Sequence, residues 1–152
     1  MSYEQSLATL EKLLFGGVSL NDDADTIKML LLRPKVIMQN PHYYLELALG
    51  AAARLYKDGD YEAAVEILIG MFNLDGIEED EGESEVSLTY YCQTIILMEV
   101  LTALSLLKIG AASLAFDYIE AVVQNIDTYL SEEKQYVTMR DALLNLGFSL
   151  VN

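Results

Sequence analysis

The stretch "YKDGDYEAAVEIL", residues 56–68, joins two strongly apolar segments. Its Asp58-Gly59-Asp60 reads either as a cation loop or as the elbow between two helices. A calcium loop of the helix–loop–helix type needs a glycine at its sixth position and a closing bidentate Glu. No acidic register here supplies both. An elbow asks for less: an apolar periodic run on each side, a glycine to reverse the chain and an acid to open the next helix. All three are present, so the elbow reading is preferred.

Working outward, the periodicity is helical almost throughout, and no alternating strand pattern is sustained. Asn40-Pro41 opens a helix predicted to run to about Lys57, because proline at the first helical position forfeits no hydrogen bond. After Gly59, Asp60 caps a helix reaching about Asn73. Upstream, Ser2 and Gln5 have capping-box spacing, and Leu7, Leu10, Leu13 and Leu14 share a face before Gly16-Gly17 ends the helix. A further helix starts at Asn21 or Asp22 and is interrupted at Pro34. Downstream, long helices are expected over Ser87–Ile109 and Ala111–Ile126, the first stopped by Gly110. A last helix places Tyr136, Met139, Leu143 and Leu146 on one side. Between the two halves lies "DGIEEDEGESEV", residues 75–86, whose charges repel one another and which offers little to bury. It is read as a solvated loop, with steering of a basic partner as the alternative. The expected class is all-α, one domain of antiparallel helix hairpins.

Composition narrows the functions open to such a domain. More than half of the residues are hydrophobic, 53%, yet the formal net charge is −15. So apolar a chain is not an acidic disordered segment. So acidic a chain lacks the basic stripe that nucleic-acid binding requires, and between Asp58 and Glu133 the sole Lys or Arg is Lys108. Anionic membrane surfaces would repel it. The run Thr94–Leu107 is apolar, but it is shorter than the ~20 residues of a span and carries Glu99, so a buried central helix is expected rather than insertion. Cys92 is the single cysteine, which leaves no internal disulfide and no cysteine metal cluster. With no basic-then-apolar leader, a cytoplasmic, reducing setting is the expectation.

Chemistry-bearing patterns are scarce. His42 is the one histidine, with no cysteine or acid at ligand spacing, and is expected as an exposed first-turn residue. No phosphate-cradling glycine loop, nucleophile elbow or HExxH pattern occurs. No catalytic residue, cofactor or metal site is therefore expected. The ten tyrosines lie mostly at helix starts or on helix faces, where a buried ring with a wet hydroxyl suits core margins and groove walls.

The elbow also recurs. Aligning "LYKDGDYEAAVEIL" with "LLKIGAASLAFDYI" sets Ala52, Leu55, Lys57, Gly59, Ala64 and Leu68 opposite Ala103, Leu106, Lys108, Gly110, Ala115 and Ile119. Small residues let two helices approach, glycine permits the reversal, and large apolar residues one turn away lock the hairpin. With "GDYEAA" at Gly59–Ala64, this pattern resembles the tetratricopeptide repeat, a helix–turn–helix unit of about 34 residues. Ala52, Gly59 and Ala64, then Ala103, Gly110 and Ala115, take its small-residue, Gly and Ala positions. There are departures. The two glycines are 51 residues apart, Ala48 and Glu99 replace the usual aromatic, and Gly76 replaces the closing proline.

The resemblance implies a right-handed array whose first helices line a concave groove. The groove positions would be Leu49, Ala53, Tyr56 and Lys57 in one unit and Leu97, Val100, Leu104, Leu107 and Lys108 in the other. The carboxylate-gripping set of Lys, Asn and Arg is reduced to the terminal lysines. The implied function is then a non-catalytic protein-interaction module, an adaptor or scaffold subunit holding an apolar segment with basic flanks. A small acidic chaperone for a hydrophobic client, resembling type III secretion chaperones, is the alternative. The apolar ending "ALLNLGFSLVN" adds a possible homodimer contact through the C-terminal helix.

Overall fold

The computed structural model describes residues 2–74 and 88–151, with eight helices and no strand among them. The acidic stretch 75–86 lies outside the described residues, and with it both readings of that loop. Helix α1 (Tyr3–Gly16) begins with the expected capping box: Gln5 N–H donates to Ser2 Oγ at 3.1 Å, and Ser2 N–H donates to Gln5 Oε1 at 2.8 Å. Helix α2 (Ala24–Leu31) starts later than expected. Asn21 does not cap it but accepts the Asp23 N–H and donates its amide to Leu47 O, which ties the connection to α4.

Pro34 does more than interrupt. It begins a six-residue helix, α3 (Pro34–Gln39), as its first residue, and Asn40 separates this from α4 (Pro41–Lys57). Proline favours the first turn for the same reason that it breaks an interior, and the sequence reading weighed only the second effect. Helices α5 (Tyr61–Phe72), α6 (Leu88–Lys108), α7 (Ala112–Tyr129) and α8 (Lys134–Val151) complete the chain.

Gly59 and Gly110 turn the α4–α5 and α6–α7 hairpins in the same way. Both have φ +83°, the left-handed region in which a Cβ is costly. Gly59 N–H donates to Tyr56 O and Asp60 N–H to Leu55 O; Gly110 N–H donates to Leu107 O and Ala111 N–H to Leu106 O. These are paired i−3 and i−5 bonds at aligned residues, a Schellman closure in each case. Ala52, Ala64, Ala103 and Ala115 are fully buried, as close approach of the paired helices requires. Asp60 stands at the N-cap of α5, although its side chain makes no capping bond.

The helices pack in a row. Helix α5 lies on α4, α6 on both, α7 on α6 and α8 on α7, while α2 covers the front of the row at α4 and α5. Helix α6 is the centre. Its Thr89–Lys108 stretch is long and apolar enough to cross a membrane, yet 61% of that window is buried inside the protein. Thr102 and Ser105 return their hydroxyls to Met98 O and Leu101 O, which lets both sit in the core. Glu99 accepts a hydrogen bond from Asn125 of α7 at 2.9 Å.

Helix α1 then folds back across the row. It packs along α8 and against α6, with Ser6, Leu10 and Leu14 buried. Asn145 of α8 donates to Ser6 Oγ at 2.7 Å, and Tyr56 of α4 donates to Glu11 at 2.9 Å. Gly50 makes the return possible. A Cβ on it would lie 2.3 Å from Ser19 O, so only glycine lets the α1–α2 connection pass over α4.

Candidate interaction site

The groove positions named from the sequence are core, not open surface. Leu49, Ala53, Tyr56, Leu97, Val100 and Leu104 are buried, and Leu107 is partly so. Two of them lie under α1, whose Phe15 ring is 5.8 Å from that of Tyr56 and whose end at Gly17 lies against Leu97, while the packing of α4 on α5 and α6 encloses the row. Lys57 and Lys108 stay exposed, and each lays its ammonium over a ring, Phe15 at 4.8 Å and Tyr61 at 5.8 Å. A stripe of leucines announces that a face is covered; it does not announce by what.

Burial also sets the titration of the tyrosines in this region. The Tyr56 hydroxyl is held well above its ordinary range, first by desolvation and then by the Glu11 carboxylate that it donates to. Tyr118 and Tyr136 are raised chiefly by burial. Burial likewise pushes the Cys92 thiol up, which makes it a poor nucleophile.

His42 departs from its expected exposure. Its side chain is 12% exposed, with ring centroids 5.0 and 6.3 Å from Tyr90 and Tyr91. Its Nε2 lies 3.2 Å from Glu46 Oε1, an oxygen that also accepts from the Tyr90 hydroxyl, while Nδ1 is buried without a partner among the described residues. The start of α6 has packed over the start of α4. Glu46, one turn further along α4, is an acid within reach after all, contrary to the expectation of none, and the tyrosines come from another helix. Among the described residues no group of acids, His and Cys is arranged to hold a metal.

What the fold leaves open is a cleft between α7 and α8, of about 450 Å³. Phe116, Ile119 and Val123 form one wall and Leu144, Phe148 and Val151 the other, with Glu120 and Asp127 at the margin. The spacings 116-119-123 and 144-148-151 are single-face helical periods, so each helix turns one apolar stripe into the cleft. On α7 the stripe overlaps the core face, since Ile119 is buried in the core, whereas on α8 it is additional to it. Tyr136, Met139, Leu143 and Leu146 are buried as expected, whereas Phe148 is 64% and Val151 62% exposed. Gly147 lets α7 come close, with Phe116 and Ile119 at ordinary contact distance from the position of a Cβ there.

Electrostatically the cleft is acid-edged. Helix α7 carries Asp117, Glu120 and Asp127 and no Lys or Arg. Arg140 of α8 bonds Asp127 at 2.8 Å and Asp141 at 3.3 Å, which raises its own pKa, and Glu120 takes part in no ion pair among the described residues. The repeat register gives the cleft a template. Phe72 on α5 receives the ring of Tyr118 from α7 at 6.1 Å. The residue equivalent to Phe72 in the second hairpin is Val123, which is half-buried and lines the cleft wall. The sequence pointed to the apolar C-terminal segment but not to Phe148 and Val151, since exposure follows only once α8 has chosen its buried face. No family model, no curated protein and no solved structure matches the chain.

Proposed function

We propose that the protein is a non-catalytic interaction module, an adaptor or scaffold subunit built as a short tetratricopeptide-like array. The identical glycine closures and the buried alanines at aligned positions support that architecture. The segment it holds lies in the α7–α8 cleft rather than beneath α1. The observation that carries this reading is the cleft itself: two apolar stripes side by side, with Val123 at the position equivalent to the one where Phe72 receives a ring from α7. An exposed apolar groove with acid at its edge suits an amphipathic helix carrying basic flanks. The chaperone alternative has less support, because the leucines that would have sheathed a client are buried within the chain itself.

A designed helix with leucines at i, i+3, i+4 and i+7 and lysine flanks tests the site by methyl NMR. The expected result is shifts at Val123, Leu144 and Val151, lost in Phe148→Glu with helicity unchanged. No shift, or shifts centred on Leu49 and Leu104, would overturn the placement.

A further inference from the structure

The exposed apolar surface opposite the cleft is the outer side of α2 and α3. Helix α2 spends Ile27 on the core and packs Leu31 against Gly70 of α5, yet leaves Met29 68% and Leu32 84% exposed. These two are three residues apart and share a face. Met38 of α3 is exposed beside them in sequence. The segment 28–38, "KMLLLRPKVIM", carries Lys28, Arg33 and Lys35 and no acid. That is three of the nine basic residues of a chain with net charge −15, concentrated where the apolar side chains are exposed. None of the three forms an ion pair among the described residues.

The two surfaces are complementary in the two properties that decide docking. One is apolar and basic; the other is a cleft, apolar and lined at its acid edge by Glu120 and Asp127, with Asp117 also on α7, and its Arg140 is already engaged by Asp127 and Asp141. They also lie at opposite ends of the helical row, α2 on α4 and α5, the cleft two helices beyond at α7 and α8.

We infer that the occupant of the cleft is the α2–α3 segment of a second copy, which joins the molecules head to tail. This rests on the cleft being a docking site. Met29 and Leu32 enter between Phe116, Val123 and Phe148, while Arg33 and Lys35 face the acids of α7. Since the contact uses a different surface on each molecule, it repeats along a row and does not close as a two-fold dimer. The bulk repulsion of two acidic bodies is screened beyond about 8 Å at physiological salt, so the facing patches govern the contact.

Sedimentation velocity over a concentration series tests it. The intact protein is expected to form a ladder of assemblies. Leu32→Glu and Phe148→Glu, both at exposed positions, are each expected to be monomeric. Their equimolar mixture is expected to give a one-to-one dimer and nothing larger, since one retains only the cleft and the other only the knob. Arg33→Glu with Lys35→Glu should weaken association about tenfold or more, and Asp117→Lys with Glu120→Lys in the neighbouring copy should restore it. A monomer at every concentration overturns the inference. So does a dimer lost in Phe148→Glu but kept in Leu32→Glu, which would be a two-fold contact through the cleft. If the protein stays monomeric while the designed helix still binds, the self-docking fails and the docking site stands. If neither associates, both fail.

Discussion

The ring of Tyr118 on α7 lies 6.1 Å from that of Phe72 on α5, although α7 packs principally on α6. One contact thus locks a helix to the helix before last. Replacing each ring by leucine, singly and together, should reveal a coupling of about 0.5–1.5 kcal/mol in urea unfolding. Additive single effects would mean that the rings do not cooperate.

Glycine-to-alanine exchanges should separate three situations in one protein. At Gly59 or Gly110, in the left-handed region, alanine should cost about 1–2 kcal/mol. At Gly50 it meets Ser19 O at 2.3 Å and should abolish the docking of the α1–α2 connection or the fold. Gly147 is helical with ordinary contacts around the added methyl, so alanine there should stabilise by about 0.4–1 kcal/mol. Thermal and urea midpoints of the four variants check the order.

Alkaline stability should report on Tyr56. Its folded-state pKa lies above the unfolded value of 10.0, so above pH 10 the unfolded chain releases a proton that the folded chain keeps. Stability contributed by the neutral hydroxyl is therefore full below pH 10 and falls as pH rises beyond it. Tyr56→Phe should flatten that decline without removing it, because Tyr118 and Tyr136 are raised by burial too. An unchanged slope between pH 9 and 12 would count against the buried Tyr56–Glu11 bond.

Truncations should distinguish the covering helix from the cleft wall. Leu10→Ala, at a fully buried position under α1, should cost about 2–5 kcal/mol. Phe148→Ala, at an exposed position, should leave the urea midpoint nearly unchanged while weakening docking. A large stability loss at Phe148 would make the cleft part of the core.

Cys92 should react slowly. With its thiol pushed up by burial, labelling by a disulfide reagent at pH 8 should lag well behind a free cysteine and accelerate in denaturant. Prompt labelling in the folded protein would contradict the burial.

The hairpins were legible because their determinants are local. Gly59, Gly110 and the small residues around them carry their meaning within a few turns of helix, so both reversals and the α4 bounds are as read. Pro34 was local too, but its two roles pull in opposite directions, and the short α3 followed from the one not considered. The apolar face of α1 was plain in Leu10 and Leu14, while its destination was not, since any leucine-rich surface satisfies the same stripe. That ambiguity displaced the expected site. Leu49, Val100 and Leu104 fit a groove lining and a core equally well by pattern, and only the packing of the folded helices decides between them. His42 was misjudged for a related reason: Tyr90 and Tyr91 reach it from a helix more than forty positions away.

The bond between Ser6 and Asn145 joins α1 to α8 across 139 positions of sequence. During synthesis α1 emerges well before the α8 that it lies along, because α2 to α7 must follow it first. The apolar surface that α1 and α8 bury between them stays bare for that interval, and the emerging chain must carry it uncovered.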